Sequence, residues 1–172
     1  MLASELVEYG IQTEDSDIRA HVSVASGKVY VFPTKPAVAL CRTGKYPAKP
    51  AWQPGVSYPT AKGYVVPWQD IPNIVPVAAS KFIGEQNFSN ADSTTLKGEK
   101  ASNVVEKLIR LGWFPLAVMP IVSEDTEIQR RGIDIIVHGT WRIQVKCDYN
   151  AGEGGTGNLY LQIAERNPFG AK

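Results

Sequence analysis

The stretch from Gly132 to Cys147 constrains the fold of this chain more than any other. It reads Gly-Ile-Asp-Ile-Ile-Val-His-Gly-Thr-Trp-Arg-Ile-Gln-Val-Lys-Cys, two β-rich runs around His138-Gly139-Thr140. An antiparallel register centred on Gly139 pairs Val137 with Trp141, Ile135 with Ile143 and Ile133 with Val145. Every pair is apolar, so that face belongs against a core. Side chains alternate across a strand, so the other face carries Asp134 opposite Gln144, with Lys146 two residues further along. A loop of even length would pair Asp134 with Val145 and scramble both faces. Hydrophobic patterning thus selects the register and brings an acid, an amide and an ammonium group together.

The rest of the chain changes character near residue 84. At 172 residues, 44% hydrophobic and 20% charged, it has room for one domain, or one domain with an extension, and needs no disulfide or metal to fold. Nine of the twelve prolines precede residue 84 (Pro33, Pro36, Pro47, Pro50, Pro54, Pro59, Pro67, Pro72 and Pro76). Such density disfavours long helices and central strands. Residues 1–84 therefore read as a basic, Pro/aromatic-rich, mostly β extension or subdomain. Its short strands, mostly at edges, include His21–Val24, Lys28–Phe32 and Gly63–Val66, with Ser26-Gly27 as a hairpin turn and a short acidic helix at Ser4–Tyr9. Residues 85–172 are regular. Asp92-Ser93-Thr94 offers an N-cap for a helix from Leu96 to Leu111, with Ala101, Val104, Val105, Leu108, Ile109 and Leu111 on one face and Gly112 to end it. Phe114–Val122 reads as a buried strand, and Asn158–Ala164 as the last one. The fold class expected is α/β (α+β), a mixed central β-sheet flanked by helices.

Bulk charge names no partner, at 18 − 17 = +1. From Ala20 to Gly84, however, seven basic residues (Lys28, Lys35, Arg42, Lys45, Lys49, Lys62, Lys81) face one acid, Asp70, a local net of 7 − 1 = +6. Tyr30, Phe32, Tyr46, Trp52, Tyr58, Tyr64 and Trp68 are interleaved with them. Such a surface suits phosphate contact with base stacking, and the same rings would equally pack a small β core under solvated lysines. Lys45, Lys49 and Lys62 are the candidates for nucleic-acid backbone contacts. Arg130 and Arg131, just before Asp134, fit either a phosphate grip or plain surface charge. The segment 152–157, Gly-Glu-Gly-Gly-Thr-Gly, lacks the lysine and helix start of a phosphate loop and reads as a flexible loop near the substrate. Two distant cysteines, no basic leader and no apolar run of membrane length point to a cytoplasmic protein without a membrane partner.

Asp134, Gln144 and Lys146 suit metal-assisted phosphodiester cleavage. A carboxylate and an amide oxygen are hard ligands for Mg²⁺, and a lysine beside them can position or deprotonate water or neutralise charge on the phosphate. With a glutamine in place of a second acid, a further carboxylate is expected. Gly132-Ile133-Asp134 followed by Gln144-Val145-Lys146, after a helix ending in Leu111-Gly112-Trp113, resembles the PD-(D/E)XK nuclease superfamily in its Gln-x-Lys variant, over roughly residues 96 to 164. The resemblance implies a restriction-endonuclease-like core with helix-strand-strand-strand order. It also implies a metal-dependent DNA endonuclease of restriction, homing or junction-resolving type, using Mg²⁺ or Mn²⁺ on double-stranded or branched DNA, often as a homo-oligomer. The family's helix carboxylate corresponds to Ala101 or Ser102 here. Glu99 and Glu106 lie one turn to either side, and Glu99 has the Lys97-Gly98-Glu99 context of relatives. Glu99, Asp134 and Gln144 would then ligate metal, with Lys146 acting on water or the transition state. The glutamine and the displaced helix acid support a second reading, a catalytically inactive nucleic-acid- or protein-binding module on the same fold.

Overall fold

The computed structural model of the chain describes residues 11–12, 16–51, 61–114, 120–122, 135–137 and 141–165. In chain order the elements are β1 (Ile11–Gln12), β2 (Ile18–Ser23), β3 (Lys28–Pro33), α1 (Thr34–Cys41), β4 (Ala48–Ala51), β5 (Ala61–Pro67), β6 (Val75–Ala78), α2 (Ser80–Gln86), α3 (Thr94–Arg110), β7 (Pro120–Val122), β8 (Ile135–Val137), β9 (Trp141–Cys147) and β10 (Asn158–Glu165). They build a mixed α/β architecture with two sheets. The larger has strand order β6-β3-β2-β9-β8-β7, and the smaller β1-β10-β5-β4. All neighbours are antiparallel except β2 and β9, which run parallel.

The longest helix forms for local reasons and stays for tertiary ones. The Ser93 hydroxyl accepts the Leu96 N–H at 3.1 Å, capping the first turn. Gly112, at φ +71°, ends the last turn in the left-handed region where a side chain would be strained. Between them Ala101, Val104, Val105, Leu108 and Ile109 are buried, a stripe at helical period that lands on Ala20, Val22, Ile143, Val145 and Ile135 of the large sheet. Phe82 and Ile83 of α2 join that core. The opposite face of the large sheet is covered too. Tyr30 and Phe32 project there into a second core with Ala37 and Val38 of α1 and Val66, Leu159 and Leu161 of the small sheet. The large sheet is therefore a middle layer, buried on both faces.

Several expectations change. Strands β2 and β3 are central, not edge strands, because the prolines lie where a missing N–H costs nothing. Pro33 and Pro67 end strands, while Pro50 and Pro76 sit in the edge strands β4 and β6. Pro36 falls in the first turn of α1, a helix the proline density argued against, where an amide has no intrahelical acceptor anyway. Residue 84 is not a domain boundary in the sheets: β2 pairs with β9, and β5 with β10, across it. The final strand thus joins the small sheet. In the Phe114–Val122 stretch the described strand is Pro120–Val122, and Phe114 is buried outside any strand. The 152–157 loop is not loose. Gly152 N–H donates to Asn158 O at 3.1 Å, Thr156 N–H to Asn150 O at 2.8 Å, and a side chain on Gly152 would collide with the Tyr30 ring. The Ser4–Tyr9 segment lies outside the described residues. Among those residues no helix is long and apolar enough to cross a membrane.

Leu108 is fully buried where α3 meets the sheet. Leu108→Ala is expected to lower the unfolding free energy by about 3 kcal/mol in denaturant titration, with the slope unchanged.

Candidate functional site

The β8–β9 hairpin forms in the register that apolar pairing selects: Val137 opposite Trp141, Ile136 opposite Arg142, Ile135 opposite Ile143. Ile135, Ile143 and Val145 are buried against α3. Alternation then turns Gln144 and Lys146 to the other face of β9. The neighbouring strand adds to that face, since Arg19 pairs with Gln144 and His21 with Lys146, while Ala20 and Val22 face α3. A polar row of Arg19, His21, Gln144 and Lys146 results, inside a sheet that is otherwise covered by apolar side chains. Gln144 is only 4% exposed, and its Oε1 has no hydrogen-bond partner among the described residues. The same is true of His21 Nε2.

Both ends of the β2–β9 pair are tied. At the start, the Arg142 backbone N–H and guanidinium donate to the Asp17 carboxylate at 2.9 and 3.2 Å. Burial works to raise the Asp17 carboxyl, but these bonds outweigh it and hold the group below its ordinary range. At the far end Asp148 donates its N–H to Val22 O at 2.9 Å. Its carboxylate accepts from Tyr160 N–H at 3.0 Å and meets His21 Nδ1 at 3.3 Å. Burial pushes the His21 pKa down. The Asp148 hydrogen bond opposes that shift, and the nearby charges of Arg19 and Lys146 reinforce it. His21 is therefore a neutral imidazole with Nδ1–H on Asp148 and a lone pair at Nε2.

The row opens to solvent at its Lys146 end. Lys146, His21, Asp148, Tyr160 and Gln162 line a cleft of about 200 Å³. Asp148 and Tyr160 also line a second cleft of about 520 Å³, whose other walls include Lys49, Thr156, Asn158 and Leu159. The two clefts share Asp148 and Tyr160 and so lie side by side between the C-terminal end of β9 and strand β10.

Of the residues that the sequence singles out, the structure brings together Gln144 and Lys146, and places Lys49 at the wider of the two clefts. Asp134, Arg130 and Arg131 lie outside the described residues, as do Trp52, Tyr58 and His138. Glu99 is exposed on α3, which packs against the other face of the large sheet, so it does not share a face with Gln144 and Lys146. Glu106 is engaged by Arg110, one turn on, at 2.8 Å. Lys45 is exposed with its Nζ 5.5 Å from the centre of the Tyr46 ring. Lys62 lies in β5 opposite Pro50 and Ala164. Tyr30, Phe32, Tyr46 and Tyr64 are core rings, not a stacking surface. Cys41 and Cys147 are free, and burial raises both thiols, Cys41 to about 11, so neither is a ready nucleophile. Among the described residues no three His, Cys, Asp or Glu side chains cluster so as to hold a metal. Sequence reasoning missed Arg19, His21, Asp148 and Tyr160. Period-two spacing was the available signal: Arg19-x-His21 on β2 and Gln144-x-Lys146-x-Asp148 running off β9.

No protein-family model, no curated protein and no solved structure matches the chain.

A His pKa lowered by folding means that the unfolded chain takes up the proton first. The His21 contribution is thus intact above about pH 6.5 and is lost as the pH falls towards the depressed folded value. Stability is expected to drop between pH 7 and 5 by up to about 1.4 kcal/mol per pH unit from this group. His21→Asn, which keeps a donor for Asp148, should flatten that part of the curve in urea titrations at several pH values. The Asp17 contribution, lost only below about pH 4, should remain.

Proposed function

We propose that the chain is a Mg²⁺-dependent DNA endonuclease built on a PD-(D/E)XK-like core. The observation that carries this reading is that Gln144 and Lys146 issue from one face of β9, in the register that the apolar pairs demand, with Lys146 lining an open cleft. Topology supports it. The order α3-β7-β8-β9 is the helix-strand-strand-strand order that the resemblance implies, and it lies in a mixed sheet. After β9 such a core needs a parallel neighbour, which normally requires a crossover of a dozen or more residues. Here β2 fills that place from the beginning of the chain, so no crossover helix has to follow β9.

The donor chemistry fits a hard divalent cation. Gln144 Oε1 is a buried carbonyl-type oxygen without a hydrogen-bond partner among the described residues, the kind of atom that a metal satisfies. Asp134, joined covalently to the Ile135 that pairs with Ile143, is the carboxylate that would hold the ion with it. When bound, Mg²⁺ polarises the phosphate and lowers the pKa of an attached water. Lys146 then neutralises charge growing on the phosphate oxygens, or holds the attacking water, from a half-buried position where its charge is poorly screened. Arg19, in register with Gln144, adds a second cation to the row. A cationic group beside the amide and the Asp148 carboxylate suits a site that takes a metal together with a phosphodiester. Restriction, homing or junction resolution, double-stranded or branched DNA, and a homo-oligomer that cuts both strands all belong to this proposal.

A second reading has its own observation. Glu99 lies on α3 across the sheet from Gln144, and Gln144 is nearly sealed, which favours a DNA- or protein-binding module that no longer cuts. Incubation with plasmid and with branched DNA in Mg²⁺ or Mn²⁺ separates the two. Nicking is expected, and Lys146→Ala and Asp134→Ala should slow it by about 100-fold or more while leaving the thermal transition within a few degrees. DNA binding by the wild type without nicking in either metal would establish the binding module instead.

A further inference from the structure

We infer that the groove running from Lys146 past Tyr160 to Lys49 holds one unstacked nucleotide of the substrate strand. The target of the chain is then DNA with an unpaired strand or branch, in preference to continuous duplex. This rests on the nuclease reading for its choice of substrate and deepens it. Lys146 is half-buried and lines the cleft between the end of β9 and strand β10, so a phosphate that enters the cleft meets its side chain. The clefts, about 200 and 520 Å³, are of the size of a single nucleotide. Drawing a nucleotide out of a stacked duplex costs a few kcal/mol, a penalty that an unpaired strand avoids.

The lining offers several groups that suit a nucleotide, beside the Asp148 carboxylate, which lines both clefts and is held by the Tyr160 N–H at 3.0 Å and His21 Nδ1 at 3.3 Å. Tyr160 stands where the two clefts meet, and its ring lies over Gly63, where any side chain would collide with it. The Tyr160 hydroxyl donates to Lys49 O at 2.9 Å and burial raises its pKa, so the ring is a fixed, neutral platform for a base. Asn158 and Thr156 also line the wider cleft; the Thr156 hydroxyl accepts the Asn158 N–H and the Asn158 amide donates to Thr156 O, both at 3.3 Å, which holds the Asn158 Oδ1 as an acceptor for a base edge. Lys49, exposed on the edge strand β4, offers its ammonium to the next phosphate along the strand. Stacking on a tyrosine accepts any base, so the groove selects strand geometry and not sequence.

Fluorescence anisotropy with the full chain in Ca²⁺ tests this without cleavage, using a labelled single-stranded oligonucleotide, the same sequence fully paired, and a branched duplex. The single strand and the branch should bind at least tenfold more tightly than the duplex. Tyr160→Leu should weaken single-strand binding about tenfold, and Tyr160→Phe, which keeps the ring, should restore it. Lys49→Ala should lower the salt dependence of binding by about one phosphate's worth. Equal or tighter binding of the duplex, or a correctly folded Tyr160→Leu that binds the single strand as the wild type does, would overturn the inference. Cleavage in Mg²⁺, measured in parallel, reports on the nuclease reading independently. Duplex cleavage without single-strand preference removes the groove and keeps the nuclease, whereas ring-dependent strand binding without cleavage does the reverse.

Discussion

Everything in this structure hangs on one pairing, the parallel alignment of β2 with β9. It joins the first described strand of the large sheet to one that begins at residue 141, closing a very long loop before any contact is gained. That pairing places β2 in the middle of the six-stranded sheet, lets β3 and β6 extend it, and creates the face on which the polar row stands. The Asp17–Arg142 pair at one end and the Asp148 N–H to Val22 bond at the other set its register. A shift by one residue would bring Arg19 and His21 into the α3 core and expel Ala20 and Val22 from it.

The polar row runs against stability taken alone. Arg19, His21 and Gln144 are each almost fully buried, and a buried acceptor without a partner costs about 1–3 kcal/mol relative to an apolar group of the same shape. A sheet covered on both faces could carry valine at all three positions. The polar groups lie instead in a row that reaches a cleft beside Lys146 and Asp148. Desolvated groups next to an entrance interact strongly with whatever charge arrives, because the surroundings screen them poorly. His21, held neutral by burial and oriented by Asp148, fixes the shape of that entrance without adding a further positive charge.

Local chemistry was legible in the sequence, and distant pairing was not. The β8–β9 register followed from three apolar pairs, and the described part of the hairpin has it. The helix α3 followed from the Ser93 cap, the apolar stripe and Gly112, and it runs from Thr94 to Arg110 as those signals imply. The start of β2 at Ile18 and its central place escaped because a strand buried on both faces normally shows as an apolar run, whereas its positions facing away from α3 are Arg19, His21 and Ser23. Their polarity reads as solvent exposure unless the second layer is known. The same error hid the burial of Gln144. α1 was obscured by Pro36, whose place in the first turn makes it harmless. Asp148 and Tyr160 carry no motif, since they meet only once β10 has paired with β5 and presented its other edge to the end of β9.

The central claim is that the β8–β9 hairpin gathers one acid, one amide and one ammonium group over a single divalent cation. Anomalous diffraction from crystals soaked in MnCl₂ measures this most directly. The account predicts one strong peak within about 2.2 Å of both Gln144 Oε1 and an Asp134 carboxylate oxygen, close to Lys146 Nζ. Crystals with no metal at these residues, or with the Asp134 carboxylate directed away from Gln144, would contradict it.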